Sequence, residues 1–424
     1  MITATDPAIL REGTIDLWGR RCFLVRAPHV RLGDLARIDE RITAFLEALT
    51  LGWRRQPGDR ASEPTEGSSA AAFEAVSMAL EGGNLVTAVL PAAVALATSG
   101  AVAALAWSDR APARAAIDAH LLSPDPVIRA VAIAAIGARR SNVPDDLLAT
   151  FAADPEPLPR ARAFRTIGQL GRLALLPQLL AARADPDPEC RFWAAWSAAR
   201  LGATEPFGVL AEIARGTGPR ADAALEMLLR RVPIEQGNAW LSAYSRNLPD
   251  RRRSLVRATG ILGDPLYIPW LLACMEEADI SRVAGEAVAM ITGLDIAYLD
   301  MDRDPPEGFE AGPNDDPADE NVALDEDEWL PWPDPRKIGA WWGRNAKRFP
   351  AGTAFFLGEP KQSANWLGAL SDAFQRQRLA AAMELAIRQP GQPMFEARAR
   401  GRLQRQQLAQ AMGGVSSAGS SAPS

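Results

Sequence analysis

The chain has 424 residues, of which 48% are hydrophobic and 23% charged, and its formal net charge is −6 at pH 7. A chain this long and this apolar can bury a large core, which excludes an intrinsically disordered protein. The acidic balance speaks against a dedicated nucleic-acid binder. Three widely spaced cysteines, Cys22, Cys190 and Cys274, favour reduced thiols in the cytoplasm over a disulfide framework.

Residues 1–55 are predicted to form an N-terminal capping module. A possible strand at Cys22-Phe23-Leu24-Val25 precedes apolar residues at helical spacing, namely Leu35, Ile38, Ile42, Phe45 and Leu49. No basic segment followed by an apolar one begins the chain, so no secretory signal is expected. Residues 56–69 are rich in Gly, Pro, Ser and acidic residues, which predicts a flexible linker.

The stretch from Asn84 to Ser108 contains no charged residue and would be long enough to span a bilayer. It is rich in alanine and is interrupted by Pro91 and by Ser99-Gly100. These interruptions favour two buried helices over one membrane span, so no membrane segment is predicted.

Residues 70–295 contain a recurring run in which Asp-Pro is followed by an Arg, by small and aliphatic residues, and by a Gly. In the clearest copy Asp125-Pro126 leads through Arg129 to Gly137, and the Arg recurs about every 31 residues. An Asp carboxylate can cap a helix, Pro suits its first turn, and Gly can end it. The positions assigned to the repeat are Asp125, Arg129, Arg160, Asp187, Arg191, Arg253 and Arg282.

This pattern resembles the HEAT-repeat class, in the short variant that is also seen in bilin lyases. The resemblance implies stacked helix pairs in which an Asp and an Arg join one unit to the next. The predicted fold is therefore all-α, a HEAT-like helical-repeat solenoid with an N-terminal cap and a C-terminal module. The pattern fails at Gly216-Thr217-Gly218-Pro219, where a distorted unit is expected.

The last third of the chain differs from the repeats in composition. Residues 300–328 contain 13 acids and one base, which predicts an extended acidic loop. One hypothesis is that this loop competes internally with an acidic partner. Residues 329–410 form a Trp-rich basic C-terminal module, with 13 bases against four acids between positions 336 and 405. Residues 411–424 are mostly Gly, Ser and Ala and are predicted to be disordered.

The sequence predicts no catalytic, cofactor-binding or metal-ligating residue. The two histidines, His29 and His120, have no second ligand at metal spacing, and neither a phosphate loop nor a nucleophile motif is present. We therefore expect a protein that is not an enzyme and needs no cofactor.

Partner binding is assigned to arginines whose positions vary from repeat to repeat and to a tryptophan pair in the tail, because Arg and Trp are favoured in protein interfaces. The candidates are Arg139, Arg140, Arg162, Arg165, Arg200, Arg230, Arg231, Arg251, Arg252, Arg257, Trp341 and Trp342. Core packing is the competing interpretation for the two tryptophans.

The order of segments also resembles a proteobacterial family of HEAT-repeat proteins found among type VI secretion accessory genes. The resembling segments are Ala27-Pro28-His29-Val30, residues 34–41, Thr292-Gly293-Leu294, Leu330-Pro331-Trp332-Pro333-Asp334, Trp341-Trp342 and Gln375-Arg376-Gln377-Arg378. The resemblance implies a cytoplasmic, adaptor-like or chaperone-like scaffold that binds a secretion component or effector. Two alternatives stay open: an enzyme or cofactor handler similar to the bilin lyases, and a nucleic-acid-binding solenoid.

Overall fold

The computed structural model describes residues 6–55, 68–82, 86–309 and 325–419. Within these ranges the chain forms 21 α-helices and one two-stranded hairpin, which confirms the predicted all-α class. The chain divides into two compact units. Unit 1 contains Met1–Arg26, Val30–Val209 and Leu367–Ser424, and unit 2 contains Ala27–His29 and Leu210–Trp366. The six segments predicted from the sequence stay a prediction; residues 329–410 contribute to both units.

Helices α1 to α12 begin the chain, and α12 crosses from unit 1 into unit 2. They are α1 Pro7–Leu24, α2 Leu32–Arg55, α3 Ser69–Glu81, α4 Val86–Leu96, α5 Thr98–Trp107, α6 Ala111–His120, α7 Pro126–Arg139, α8 Asp145–Ala152, α9 Pro157–Leu170, α10 Leu176–Ala181, α11 Pro188–Arg200 and α12 Phe207–Arg215. The strand predicted at Cys22 to Val25 is wrong, because α1 continues to Leu24.

The remaining elements complete unit 2 and then return to unit 1. They are α13 Ala221–Arg231, α14 Ile234–Asn247, α15 Arg252–Leu262, α16 Ile268–Cys274, α17 Ala278–Thr292, α18 Pro335–Asn345, β1 Phe355–Phe356, β2 Glu359–Pro360, α19 Trp366–Asp372, α20 Gln375–Arg388 and α21 Gly401–Gly419. Helix α21 extends into the segment 411–424 that the sequence predicts to be disordered. Most of the predicted linker 56–69 lies outside the described residues.

Alternate helices stack into a row within each unit. In unit 1 the row is α3, α5, α7, α9 and α11, and in unit 2 it is α13, α15 and α17, with the intervening helices packed against it. Two glycines of the recurring run let neighbouring helices of the row approach closely. A Cβ on Gly137 would lie 2.5 Å from Oε1 of Gln169, and one on Gly168 would lie 2.3 Å from Oγ of Ser197. The prediction that Gly137 ends its helix is wrong, because α7 continues to Arg139.

The uncharged stretch after Asn84 forms two helices, as predicted, but the break is elsewhere. Helix α4 continues through Pro91 and stops at Leu96, and α5 begins at Thr98. Gly100 lies inside α5, where a Cβ would come within 2.1 Å of the Ser69 carbonyl oxygen of α3. No helix in the described part of the chain is long and apolar enough to cross a membrane.

Ion pairs between arginines and aspartates connect successive helices of the row. Arg129 donates to the carboxylate of Asp154 through Nε at 3.0 Å and Nη2 at 2.9 Å, and Arg160 donates to Asp185 in the same way at 2.8 and 3.0 Å. Nη1 of each arginine donates to backbone carbonyls before its own helix; Arg129 reaches the Ser123 oxygen at 2.8 Å. Each guanidinium therefore joins the start of one helix to the start of the next in the row.

The contacts with backbone carbonyls recur at Arg191, but the ion pair with an aspartate does not. Arg191 again reaches the carbonyl of Asp185 at 2.8 Å, but Gly216 stands 25 residues after it, where the earlier arginines find an aspartate. In unit 2 the same 25-residue separation joins Arg252 to Glu277 at 2.5 Å. The sequence assigns Arg253 to the repeat and Arg252 to the binding surface, whereas the structure places Arg252 in the 25-residue ion pair.

The end of the acidic segment supplies carboxylates for the last two arginines of the repeat. Asp325 accepts from Arg282 at 2.7 Å, and Asp327 accepts from Arg253 at 2.6 Å. The amide of Asp327 donates to Oδ1 of Asp325 at 2.9 Å, just as the amide of Asp187 donates to Oδ1 of Asp185 at 2.9 Å. Residues 325–327 thus reproduce the local turn of a repeat. Residues 310–324 of the predicted acidic loop lie outside the described residues.

In unit 1, residues 389–401, which we call the strap, run back along the ends of the row in reverse order. Arg200 at the end of α11 donates to the Pro390 carbonyl at 2.5 Å. The amide of Met394 donates to the carbonyl of Gln169 in α9 at 2.8 Å, and Nε of Arg140 after α7 donates to the Met394 carbonyl at 2.6 Å. The strap then reaches α1 and α2. Nη2 of Arg21 in α1 donates to the Arg398 and Ala399 carbonyls at 3.0 and 3.1 Å, and the amide of Gly401 donates to Asp39 in α2 at 2.7 Å.

In unit 2, the β1–β2 hairpin occupies the corresponding ends of α15 and α17. The Phe355 amide donates to the carbonyl of Gly263 at 2.8 Å, and the Leu357 amide donates to that of Met290 at 2.7 Å. Gly263 has a φ of +82°, and a Cβ there would lie 2.3 Å from the Phe355 carbonyl oxygen. Both the helix end and the hairpin contact therefore require glycine at this position.

We expect Gly171→Ala to loosen the strap. Gly171 ends α9 with a φ of +72°, and a Cβ there would lie 2.5 Å from the Gln392 carbonyl oxygen. The backbone strain and the displaced strap should together lower the free energy of unfolding by about 2–3 kcal/mol. Hydrogen-deuterium exchange should show faster exchange across residues 389–401.

The matched control is Gly352→Ala. Gly352 has a φ of +80° but nothing within 4 Å of the position of a Cβ, so it incurs the backbone strain alone, about 1 kcal/mol. Equal stability losses in the two variants, with the strap still protected from exchange, would contradict the role given to Gly171.

Candidate protein-binding surface

Three predicted binding arginines at the ends of row helices contact other parts of unit 1. Arg139 donates to the Leu105 carbonyl at 2.7 Å and also to that of Ser108, joining α7 to the end of α5. Arg140 adopts a left-handed backbone with φ of 55° and forms an ion pair with Glu396 of the strap at 3.0 Å. The third, Arg200, donates to strap carbonyls. These side chains are occupied within the chain itself.

Two buried guanidinium groups in unit 1 hold the C-terminal region through neutral acceptors. Arg200 is fully buried, and burial, followed by the charge of Arg140, lowers its pKa to about 10. Arg378 of α20 is also fully buried, and burial lowers its pKa to about 10. Its guanidinium donates to the side-chain oxygens of Gln375 and Gln404 and to the Leu370 carbonyl. A buried cation with only neutral partners makes its surroundings costly to rearrange.

Arg162 and Arg165 lie on one face of α9 and are half-exposed. The Arg165 guanidinium lies 4.4 Å from the centre of the Trp193 ring on α11, a cation–π contact. Leu158, one turn before Arg162, is 42% exposed. This face combines positive charge with apolar surface and is the part of unit 1 that best fits the predicted binding role.

The five predicted arginines of unit 2 have different environments. Arg230 pairs with Glu226 at 2.9 Å, one turn away in α13, and burial lowers the pKa of Arg231. Arg251 pairs with Asp222 at 2.6 Å and Arg252 with Glu277. The last of the five, Arg257, is exposed on α15. The sequence identifies these as varying positions but does not say which of them face solvent.

Trp341 and Trp342 are half-buried and pack against the hydrophobic core of unit 2. Their ring centres lie 6.3 and 5.7 Å from that of Phe349. Ile338, fully buried on the same face of α18, belongs to this core. The surroundings of the pair therefore favour core packing, the competing interpretation, over a solvent-facing contact.

The exposed surface of α18 carries bases that are not among the binding candidates predicted from the sequence. They continue into the 3₁₀ turn Ala346–Arg348, and all are exposed: Arg336, Lys337, Arg344, Lys347 and Arg348. The sequence does contain a signal for them, because no acidic residue occurs between Asp334 and Glu359. We call these five side chains the basic face.

The described residues offer little for catalysis. No group of three or more His, Cys, Asp or Glu side chains among them could hold a metal ion. His120 is buried with Nδ1 2.6 Å from the Ala116 carbonyl oxygen. Burial raises the pKa of the thiols of Cys190 and Cys274, that of Cys190 to about 12, which favours the protonated thiol near neutral pH. Cys22 is exposed, and partial desolvation raises its pKa as well.

The ion pair between Glu396 and Arg140 should make strap docking sensitive to acid. Burial by itself would raise the pKa of Glu396, but the charges of Arg398 and Arg140 outweigh it and lower this pKa to about 2. Because the folded pKa lies below the unfolded value of about 4.3, the stabilisation is present above that value and is lost as pH falls toward 2.

Glu396→Gln should therefore lower the free energy of unfolding near pH 6 by on the order of 2 kcal/mol, and the difference from wild type should shrink as pH falls below about 4. Urea unfolding between pH 6 and pH 3 measures this. Glu12→Gln, at an exposed glutamate of α1, is the control and should show no such trend. A constant difference for Glu396→Gln would argue against the ion pair.

Comparison with known protein families supports the repeat assignment. Residues 144–230, which span α8 to α13, match the family model of HEAT repeats. No curated protein matches the chain. These residues are therefore similar to HEAT repeats, and the fold of the chain is an all-α, HEAT-like solenoid.

Proposed function

We propose that this chain is a non-catalytic HEAT-repeat scaffold of the cytoplasm that binds a protein partner. The observation that carries the proposal is the HEAT match at residues 144–230 within a longer helical row, since HEAT repeats commonly serve as protein-interaction scaffolds. The half-exposed face of α9, with Arg162, Arg165 and Leu158, supports it because it is apolar, basic and situated within the matched repeats.

We further propose that the partner is a component or effector of a type VI secretion apparatus and that the protein acts as an adaptor or a chaperone-like accessory. The support is the resemblance in segment order from Ala27-Pro28-His29-Val30 to Gln375-Arg376-Gln377-Arg378. Two residues of the last segment, Gln375 and Arg378, have structural contacts, and Gln375 donates to the Ala397 carbonyl of the strap at 2.7 Å. That part of the resemblance therefore supports the fold rather than a binding site.

The test is affinity co-purification of the tagged full-length chain from its native host, with bound proteins identified by mass spectrometry. We expect secretion components or one effector to be enriched at least ~10-fold over a tag-only control, as for an affinity in the usual micromolar-to-nanomolar range. The full chain is required because residues after Asp300 include the strap and the carboxylates of Asp325 and Asp327.

The outcomes separate the two levels of the proposal. Enrichment of proteins unrelated to secretion would keep the scaffold and overturn the secretion assignment. Enrichment of no protein would overturn the scaffold. A bound chromophore or other small molecule in the purified protein would favour a cofactor handler instead.

A further inference from the structure

The basic face lies on the solvent side of a helix whose other side is anchored in the core. Ile338, Trp341 and Trp342 pack into the core of unit 2, so the orientation of α18 is fixed. At 100° per residue, Arg336 lies opposite Ile338, while Arg344 lies beside Trp341, about 60° away around the helix. Helix α18 and the turn that follows it therefore hold exposed positive charge on an anchored element.

Within the described residues, the charge of the basic face is not neutralised by ion pairs. None of its five side chains forms an ion pair with a carboxylate in the described part of the chain. The acids that flank it in sequence have other contacts: Asp334 caps α18 by accepting from the Arg336 amide at 2.9 Å, and Glu359 accepts from the Asn365 amide at 2.7 Å. On a chain of net charge −6, this is an unusual local excess of positive charge.

Two exposed apolar side chains lie near the start of α18. Nζ of Lys337 donates to the carbonyls of Asp300 and Asp302 at 2.9 and 3.0 Å. This contact places the residues just before Asp300 beside the start of α18. Among them, Tyr298 is 82% exposed and Leu299 is 46% exposed. These two adjacent side chains offer apolar surface that a partner could cover.

We propose that the basic face together with Tyr298 and Leu299 is the docking site for an acidic segment of a protein partner, one that carries aromatic or aliphatic residues among its carboxylates. This inference rests on the proposed function, since it assumes a protein partner, and it identifies the chemistry of that partner. The carboxylates would pair with Arg344, Lys347 and Arg348, while the apolar residues would cover Tyr298 and Leu299.

The surroundings favour an acidic peptide over a nucleic acid. Tyr298 and Leu299 are exposed, and a peptide supplies apolar side chains that can cover them, whereas a phosphate backbone does not. Asp304 and Glu307 are exposed in the segment that follows and would repel either ligand, so the site suits a short acidic segment rather than a long polyanion.

The test measures binding of a fluorescein-labelled peptide of repeated Glu-Glu-Phe-Glu-Leu units to the full-length chain by fluorescence anisotropy at physiological ionic strength. Binding should weaken at least ~10-fold in the triple variant Arg344→Glu/Lys347→Glu/Arg348→Glu, because three attractive contacts become repulsive. Tyr298→Ser/Leu299→Ser, which leaves every charge in place, should weaken binding about 3-fold or more.

The matched control is Arg20→Glu/Arg37→Glu/Arg114→Glu, which makes the same change in net charge at exposed arginines of α1, α2 and α6. It should change the affinity by less than about 2-fold, because none of these three arginines belongs to the proposed site. Circular dichroism should show both triple variants to be folded.

Three results would overturn the site: no binding of the peptide, equal loss in the basic-face and control variants, or tighter binding of single-stranded DNA or anionic vesicles that is lost in the basic-face variant. Co-purification with the basic-face variant distinguishes the two proposals. If the partner of the full-length chain is retained, the scaffold stands and this site fails. If the wild-type chain itself enriches no partner, the scaffold proposal is overturned, and the result does not depend on this site.

Discussion

The ion pair between a repeat arginine and an aspartate 25 residues later fixes how α7, α9 and α11 stack, the part of the chain where the repeat is clearest. Its geometry serves two purposes, because the carboxylate of Asp154 also accepts from the Glu156 amide at 3.0 Å and so shapes the turn that starts α9. One aspartate therefore starts its own helix and binds the preceding one. Burial makes this more than a surface ion pair: the side chains of Arg129 and Asp154 are 15% and 7% exposed.

An array built from such neighbour contacts leaves unused hydrogen-bonding groups at the ends of its helices, and the C-terminal third of the chain covers many of them. The strap does this in unit 1 and the β1–β2 hairpin in unit 2. Left-handed glycines such as Gly171 and Gly263 provide the necessary close approach. Since repeat arrays can usually fold by adding neighbours, contacts such as that of Arg200 with Pro390 make unit 1 depend on residues synthesised last.

The repeats could be predicted because their signals are local: Asp125 caps its own helix, and Arg129 recurs as Arg160 after one period. Contacts between distant residues could not. Gly137 fits a helix end equally well until the packing of α9 against it is known, and the strap has no periodicity to reveal it. For the same reason, the sequence could not divide the binding candidates into buried and exposed side chains. Sequence spacing does not distinguish Arg200, which the strap encloses, from Arg257, which faces solvent.

The structure also changes how a binding site on this chain can be located. Ending the chain at Asp300 removes the basic face, but it also removes the strap, the hairpin and the carboxylates that neutralise Arg253 and Arg282. If a partner no longer bound after such a truncation, the cause could be a misfolded chain as well as a missing binding site. Charge reversal on the solvent side of α18 avoids this ambiguity, because Ile338 and its neighbours hold that helix from the other side.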